Sequence, residues 1–79
     1  MNLSNEIKNI RTKSLLSQEA FAKALGVSFT TVNRWESGKS RPSYKAIKMI
    51  KMFCKTNDIP FDATEFVKED LFRENNTYH

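Results

Sequence analysis

The sequence predicts an all-α fold, a compact arrangement of five short helices. Three observations carry that reading. The 79 residues include only two glycines and two prolines, too few turn formers for a many-stranded sheet. Apolar residues make up 39% of the chain, enough for one core and too many for a disordered protein. They recur at three- and four-residue spacings, often just behind a serine placed to cap a helix.

The first helix is expected to follow Ser4 as N-cap. Glu6 in its first turn complements the helix dipole. Ile7 and Ile10, with Leu3 just before, are spaced for one buried face. The pattern breaks around Ser14-Leu15-Leu16. Ser17 caps a second helix, Gln18 to about Leu25, with Ala20, Phe21, Ala24 and Leu25 as its apolar stripe. Gly26 follows, where a helix end favours a residue tolerant of positive φ. Val27 plugs the turn and Ser28 caps a third helix, Phe29 to Glu36 or Ser37, with Val32 and Trp35 facing inward.

Gly38 ends that helix, and Lys39-Ser40-Arg41-Pro42 is a short basic loop. Ser43 caps a fourth helix reaching about Lys55. Its residues Tyr44, Ala46, Ile47, Met49, Ile50, Phe53 and Cys54 form a wide buried stripe, and Lys45, Lys48, Met52 and Lys55 a separate face. Asn57-Asp58-Ile59-Pro60 is a turn. Asp62 and Glu65 resemble a capping box for a fifth helix, Ala63 to about Glu74. Residues 1–56 thus form the main unit. Residues 57–79 form an extension that belongs to the same compact domain.

The charge is split between these parts. Residues 1–56 carry 11 Lys/Arg against 3 Asp/Glu, a balance of +8; residues 57–79 carry 2 against 6, a balance of −4. A basic body with an acidic tail fits a polyanion-binding domain followed by a segment that avoids the polyanion, and equally a solvated surface of uneven charge. Cys54 is the single cysteine, so no internal disulfide forms, and its neighbours make it a small buried hydrophobe. His79 is the only histidine, so neither a metal cluster nor a catalytic base is expected. No nucleophile–base pair and no glycine-rich phosphate loop is present, which argues against an enzyme and against a cofactor. No membrane span, secretory signal or small-molecule ligand is expected, and the setting is read as cytoplasmic.

Two short helices joined by Gly26-Val27-Ser28 must cross steeply, which is a helix-turn-helix. The run from Ser17 to Ser28, continued by Thr31-Val32-Asn33-Arg34-Trp35-Glu36-Ser37-Gly38-Lys39-Ser40-Arg41-Pro42, resembles the Cro/C1-type (XRE-like) helix-turn-helix family of phage repressors and bacterial transcriptional regulators. The resemblance covers roughly residues 4–56. It implies a lambda-repressor-like domain that binds double-stranded DNA, with the third helix in the major groove.

Roles follow position by position from the resemblance. Phe29, Thr30, Thr31, Asn33 and Arg34 would contact bases: Arg34 with a fork to guanine, Asn33 to adenine, and Thr30 or Thr31 through a hydroxyl or methyl. Phe29 replaces a polar residue common in the family; it either meets a thymine methyl or packs back on the domain. Thr31 has a second reading, in the N-terminal cap. Gln18, Ser28, Lys39, Ser40, Arg41 and Lys13 would contact phosphates. Arg11 and Glu36 would form an ion pair fixing the third helix against the first. Trp35 is read as core rather than as a base-stacking residue.

The extension's Ile59, Phe61, Phe66, Val67, Leu71 and Phe72 either complete a monomeric core or build a two-fold interface. The balance favours a homodimer through residues 53–72. The expected function is a sequence-specific transcriptional regulator, a repressor by preference. The alternative is an antitoxin or protein-interaction module whose helix-turn-helix also binds its own promoter.

Overall fold

A computed structural model describes residues 3–62. They contain four helices and no strand: α1 Leu3–Lys13, α2 Gln18–Leu25, α3 Phe29–Glu36 and α4 Tyr44–Thr56. The expected fifth helix, and residues 63–72 of the candidate dimer element at 53–72, lie outside the described residues.

Three helices start on a serine with extended backbone. Ser17, Ser28 and Ser43 each accept a hydrogen bond from the backbone N–H three residues on, at Ala20 (3.0 Å), Thr31 (3.1 Å) and Ala46 (3.1 Å). Each bond satisfies one of the orphan donors of a first turn.

All four helices end in the same way. One or two residues past each helix the backbone turns to positive φ: at Leu15 (58°), Gly26 (75°), Gly38 (78°) and Asp58 (59°). The N–H of that residue bonds three residues back, and the next N–H bonds five residues back. The second bonds are Leu16 to Arg11 (3.2 Å), Val27 to Ala22 (2.9 Å), Lys39 to Arg34 (3.0 Å) and Ile59 to Cys54 (2.8 Å). These are Schellman endings. In three of them the residue after the turn, Leu16, Val27 or Ile59, packs against the core. Each ending therefore closes the helix and pins the chain that leaves it.

The core joins all four helices. Ile7 and Ile10 from α1, Phe21, Ala22 and Leu25 from α2, Val32 and Trp35 from α3, and Ala46, Ile47, Ile50 and Cys54 from α4 are all buried. Phe21 meets Phe53 edge to face, with ring centroids 5.2 Å apart. Burial pushes the Cys54 thiol up from 9.0 to about 11, and the negative charge of Glu6 adds to the shift.

Two details correct the sequence reading. Helix α1 starts at Leu3 instead of after a cap at Ser4. Leu3 stands four and seven residues before Ile7 and Ile10, so packing it against the same core extends the helix past the serine. The α2 stripe is Phe21, Ala22 and Leu25; Ala24 is exposed and Ala20 only half-buried. Alanine is small enough for either face. The flanking helices, not the alanine pattern, choose which one is covered.

Two predictions follow from these features. Leu15 is 91% exposed, so its left-handed backbone is offset by no packing of its own side chain. Left-handed backbone costs a branched residue about 1–2 kcal/mol, and glycine returns about 0.5–1 kcal/mol of that through the unfolded chain. Leu15→Gly should therefore stabilise the fold by roughly 0.5–1 kcal/mol, read as a higher urea midpoint at unchanged slope. For Cys54, the folded state keeps a proton that the unfolded thiol releases above pH 9. Stability should hold below pH 9 and fall as pH rises toward about 11. The slope over that window should be shallower in Cys54→Ala, measured by urea titration at each pH.

Candidate nucleic-acid interface

The candidate surface is built around one carboxylate. Glu36 closes α3, and its side chain is only 4% exposed. Its Oε2 accepts from Arg11 Nε at 2.7 Å, and its Oε1 accepts from Arg11 Nη2 at 3.0 Å. The guanidinium and carboxylate thus meet as two forks, the arrangement that gives both strength and fixed orientation. Glu36 Oε1 also accepts from Gln18 Nε2 at 3.1 Å. Arg11 spends a further donor, Nη1, on the Leu16 carbonyl at 2.9 Å, in the link between α1 and α2. The hydrogen bonds to Glu36 raise the Arg11 pKa, against the opposing effect of desolvation and with added Coulombic attraction from Glu36.

The chain of polar contacts continues outward. Gln18 Oε1 accepts from Asn33 Nδ2 at 3.2 Å on the exposed side of α3. A single path therefore runs from α1 through the end of α3 to the first residue of α2, then back to the outer face of α3. Sequence reasoning assigned Gln18 and Asn33 separate roles and missed this bond. Residues fifteen apart on different helices carry no spacing signal for it. At the other end of α3, Thr31 is half-buried, and its hydroxyl lies 2.8 Å from that of its cap Ser28.

The remaining named residues sit as follows. Phe29, Thr30, Asn33 and Arg34 are exposed at successive positions i, i+1, i+4 and i+5, which is one continuous helix face. Val32 and Trp35 are buried on the opposite face. Phe29 is 50% exposed at the first position of α3. Lys39 and Arg41 are exposed and Ser40 is half-buried, in the loop that follows α3; Lys13 is exposed at the end of α1. Gln18 stands at the first position of α2. Among the described residues no cluster of His, Cys, Asp and Glu could hold a metal ion, and no helix is long and apolar enough to cross a membrane.

A pair of short helices joined by a three-residue turn, with an exposed polar stripe on the second, defines a helix-turn-helix. The family model for the helix-turn-helix matches residues 7–54. The chain belongs to this Cro/C1-type (XRE-like) family of DNA-binding transcriptional regulators. It is 38% identical over 68 residues to the HTH-type transcriptional activator BcrR of Enterococcus faecalis, covering 85% of this chain and 33% of that protein. It is 36% identical over 53 residues to Antitoxin HigA-2 of Vibrio cholerae, covering 66% of this chain and 51% of that protein. An uncharacterised HTH-type transcriptional regulator of Methanocaldococcus jannaschii is 41% identical over 70 residues, covering 86% of this chain and 97% of that protein. The chain thus spans a third and a half of the first two relatives. No solved structure matches it significantly.

The buried pair generates a prediction. Removing Arg11 strands a carboxylate that is almost wholly out of water, which costs about 3–5 kcal/mol. Arg11→Met should lower stability by about that amount. The double variant Arg11→Met/Glu36→Leu should recover a large part of the loss, since no charge is then left unpaired. Denaturant titration of the three proteins checks both statements. A double variant no more stable than Arg11→Met would contradict the burial argument.

Proposed function

We propose that the chain is a sequence-specific double-stranded DNA-binding regulator that reads the major groove with α3 and acts as a repressor by occupying its operator. The observation that carries this is the exposed stripe Phe29, Thr30, Asn33 and Arg34 on a helix anchored at its far end by the Arg11–Glu36 pair. Such a stripe offers side chains to base edges, and the anchor fixes how the helix is presented.

In this reading Arg34 forks onto guanine O6 and N7, Thr30 and Asn33 read adjacent edges, and Thr31 supports the cap as well as the groove. Gln18, Ser28, Lys39, Ser40, Arg41 and Lys13 hold phosphates and set the register. The basic balance of residues 1–56 supplies attraction to the polyanion. Residues 53–72 are proposed as the homodimer element, which would place two α3 helices on half-sites one helical turn apart.

A second reading is favoured by the match to an antitoxin and by the acidic balance of residues 57–79. In it the same helix-turn-helix binds the protein's own promoter while the extension holds a partner protein.

Selection of preferred sites from random duplex DNA tests the main reading. An inverted repeat should emerge, and its absence would leave the partner-binding reading ahead. On the selected site, Arg34→Ala should weaken binding by about 1–3 kcal/mol and relax preference at one base pair. Unchanged preference would remove α3 as the reader.

A further inference from the structure

We propose that Phe29 is an apolar specificity determinant, and that each half-site must present a pyrimidine C5-methyl group, as thymine does, to this ring. The inference rests on the DNA-reading role proposed above and names part of what that site selects.

The case begins with how the five base-contact candidates are occupied. Thr31 has its hydroxyl against Ser28 at 2.8 Å and its backbone N–H on the same oxygen. Asn33 has one amide N–H on Gln18. Among the described residues the side chains of Phe29, Thr30 and Arg34 make no hydrogen bond or ion pair, so these three meet an incoming surface uncommitted. Two of them are polar. The third, Phe29, is a large ring left half in water, whereas Trp35 on the opposite face of the same helix is 4% exposed.

The location narrows the meaning of that exposure. Leu15 and Met52, the other large exposed apolar residues among those described, lie on the α1–α2 link and on α4. Phe29 is the first residue of α3, with Thr30 beside it and Asn33 one turn further on the same face. First-turn residues of a recognition helix approach the base edges most closely. The ring has no donor or acceptor, so it discriminates only by contact. In the major groove the one apolar group is the thymine methyl. A cytosine at that position would present a hydrophilic amino group to the ring, and a purine would present acceptors that the ring leaves unpaired.

The test uses the duplex recovered by site selection. Each thymine is replaced singly by deoxyuridine, which removes the methyl and keeps every hydrogen-bonding edge. At one position per half-site the wild-type protein should lose roughly three- to five-fold in affinity, the worth of about one buried methyl group. Phe29→Ala should bind the thymine site more weakly and show no further loss with deoxyuridine. Phe29→Leu should keep part of the sensitivity. Because Phe29 is half exposed and outside the core, both variants should unfold at the wild-type midpoint. If specific, Arg34-dependent binding is found but no thymine replacement distinguishes wild type from Phe29→Ala, the inference is overturned while the DNA-reading role stands. If no duplex is enriched at all, both are overturned.

Discussion

A carboxylate that is 96% buried at the last residue of α3 sits in the wrong electrostatic place by its own helix, because a helix C-terminus is the negative end of the dipole. Glu36 is stable there only because donors from two other elements reach it. Arg11 stands in the last turn of α1, where a cation is favoured, and its guanidinium also holds the Leu16 carbonyl just beyond that helix. One side chain thus satisfies the end of α1 and the end of α3 together. If α3 rotated or slid, Glu36 would lose partners it cannot replace with water. The orientation of the exposed stripe is therefore a condition of burying this charge.

The turn before α3 restrains its other end by different means. Gly26 and Val27 send their N–H groups back to Lys23 and Ala22, and Ser28 accepts from Thr31. Val27 rests on the core. A connector of three residues therefore has its backbone held by hydrogen bonds and its one apolar side chain by packing. α3 is fixed relative to α2 through the backbone and relative to α1 through the ion pair. Val32 and Trp35 close the remaining freedom by burying the face between those two anchors.

Much of this was legible in the sequence, and the reasons differ by element. The serine caps and Gly26 show because a cap needs a particular side chain and a left-handed turn favours a residue without Cβ. Asp58 shows for a related reason, since aspartate tolerates left-handed backbone and its segment reads as a turn. Leu15 adopts the same backbone and gave no such signal. It is carried there by Leu16, which packs on the core, so tertiary packing overrides local preference at that position. The Arg11–Glu36 pairing came from family resemblance, since nothing in two residues twenty-five apart names them as partners. Ala22 was missed because alanine patterns do not reveal which side a neighbouring helix passes.

The Gln18–Asn33 bond changes how the proposed contacts divide their labour. An amide carries two N–H donors and an acceptor oxygen, so one bond does not exhaust either side chain. Asn33 keeps a second N–H and its carbonyl for a base edge. Gln18 keeps the second N–H of an amide whose other N–H is already on Glu36. What the bond removes is rotational freedom. A side chain that is oriented before it meets its ligand loses less entropy on binding than one that must be ordered then. In the proposed mode the buried charge therefore reaches the outer face by two steps: Glu36 orients Gln18, and Gln18 orients Asn33. A residue that never touches DNA would in this way set the geometry of one that does.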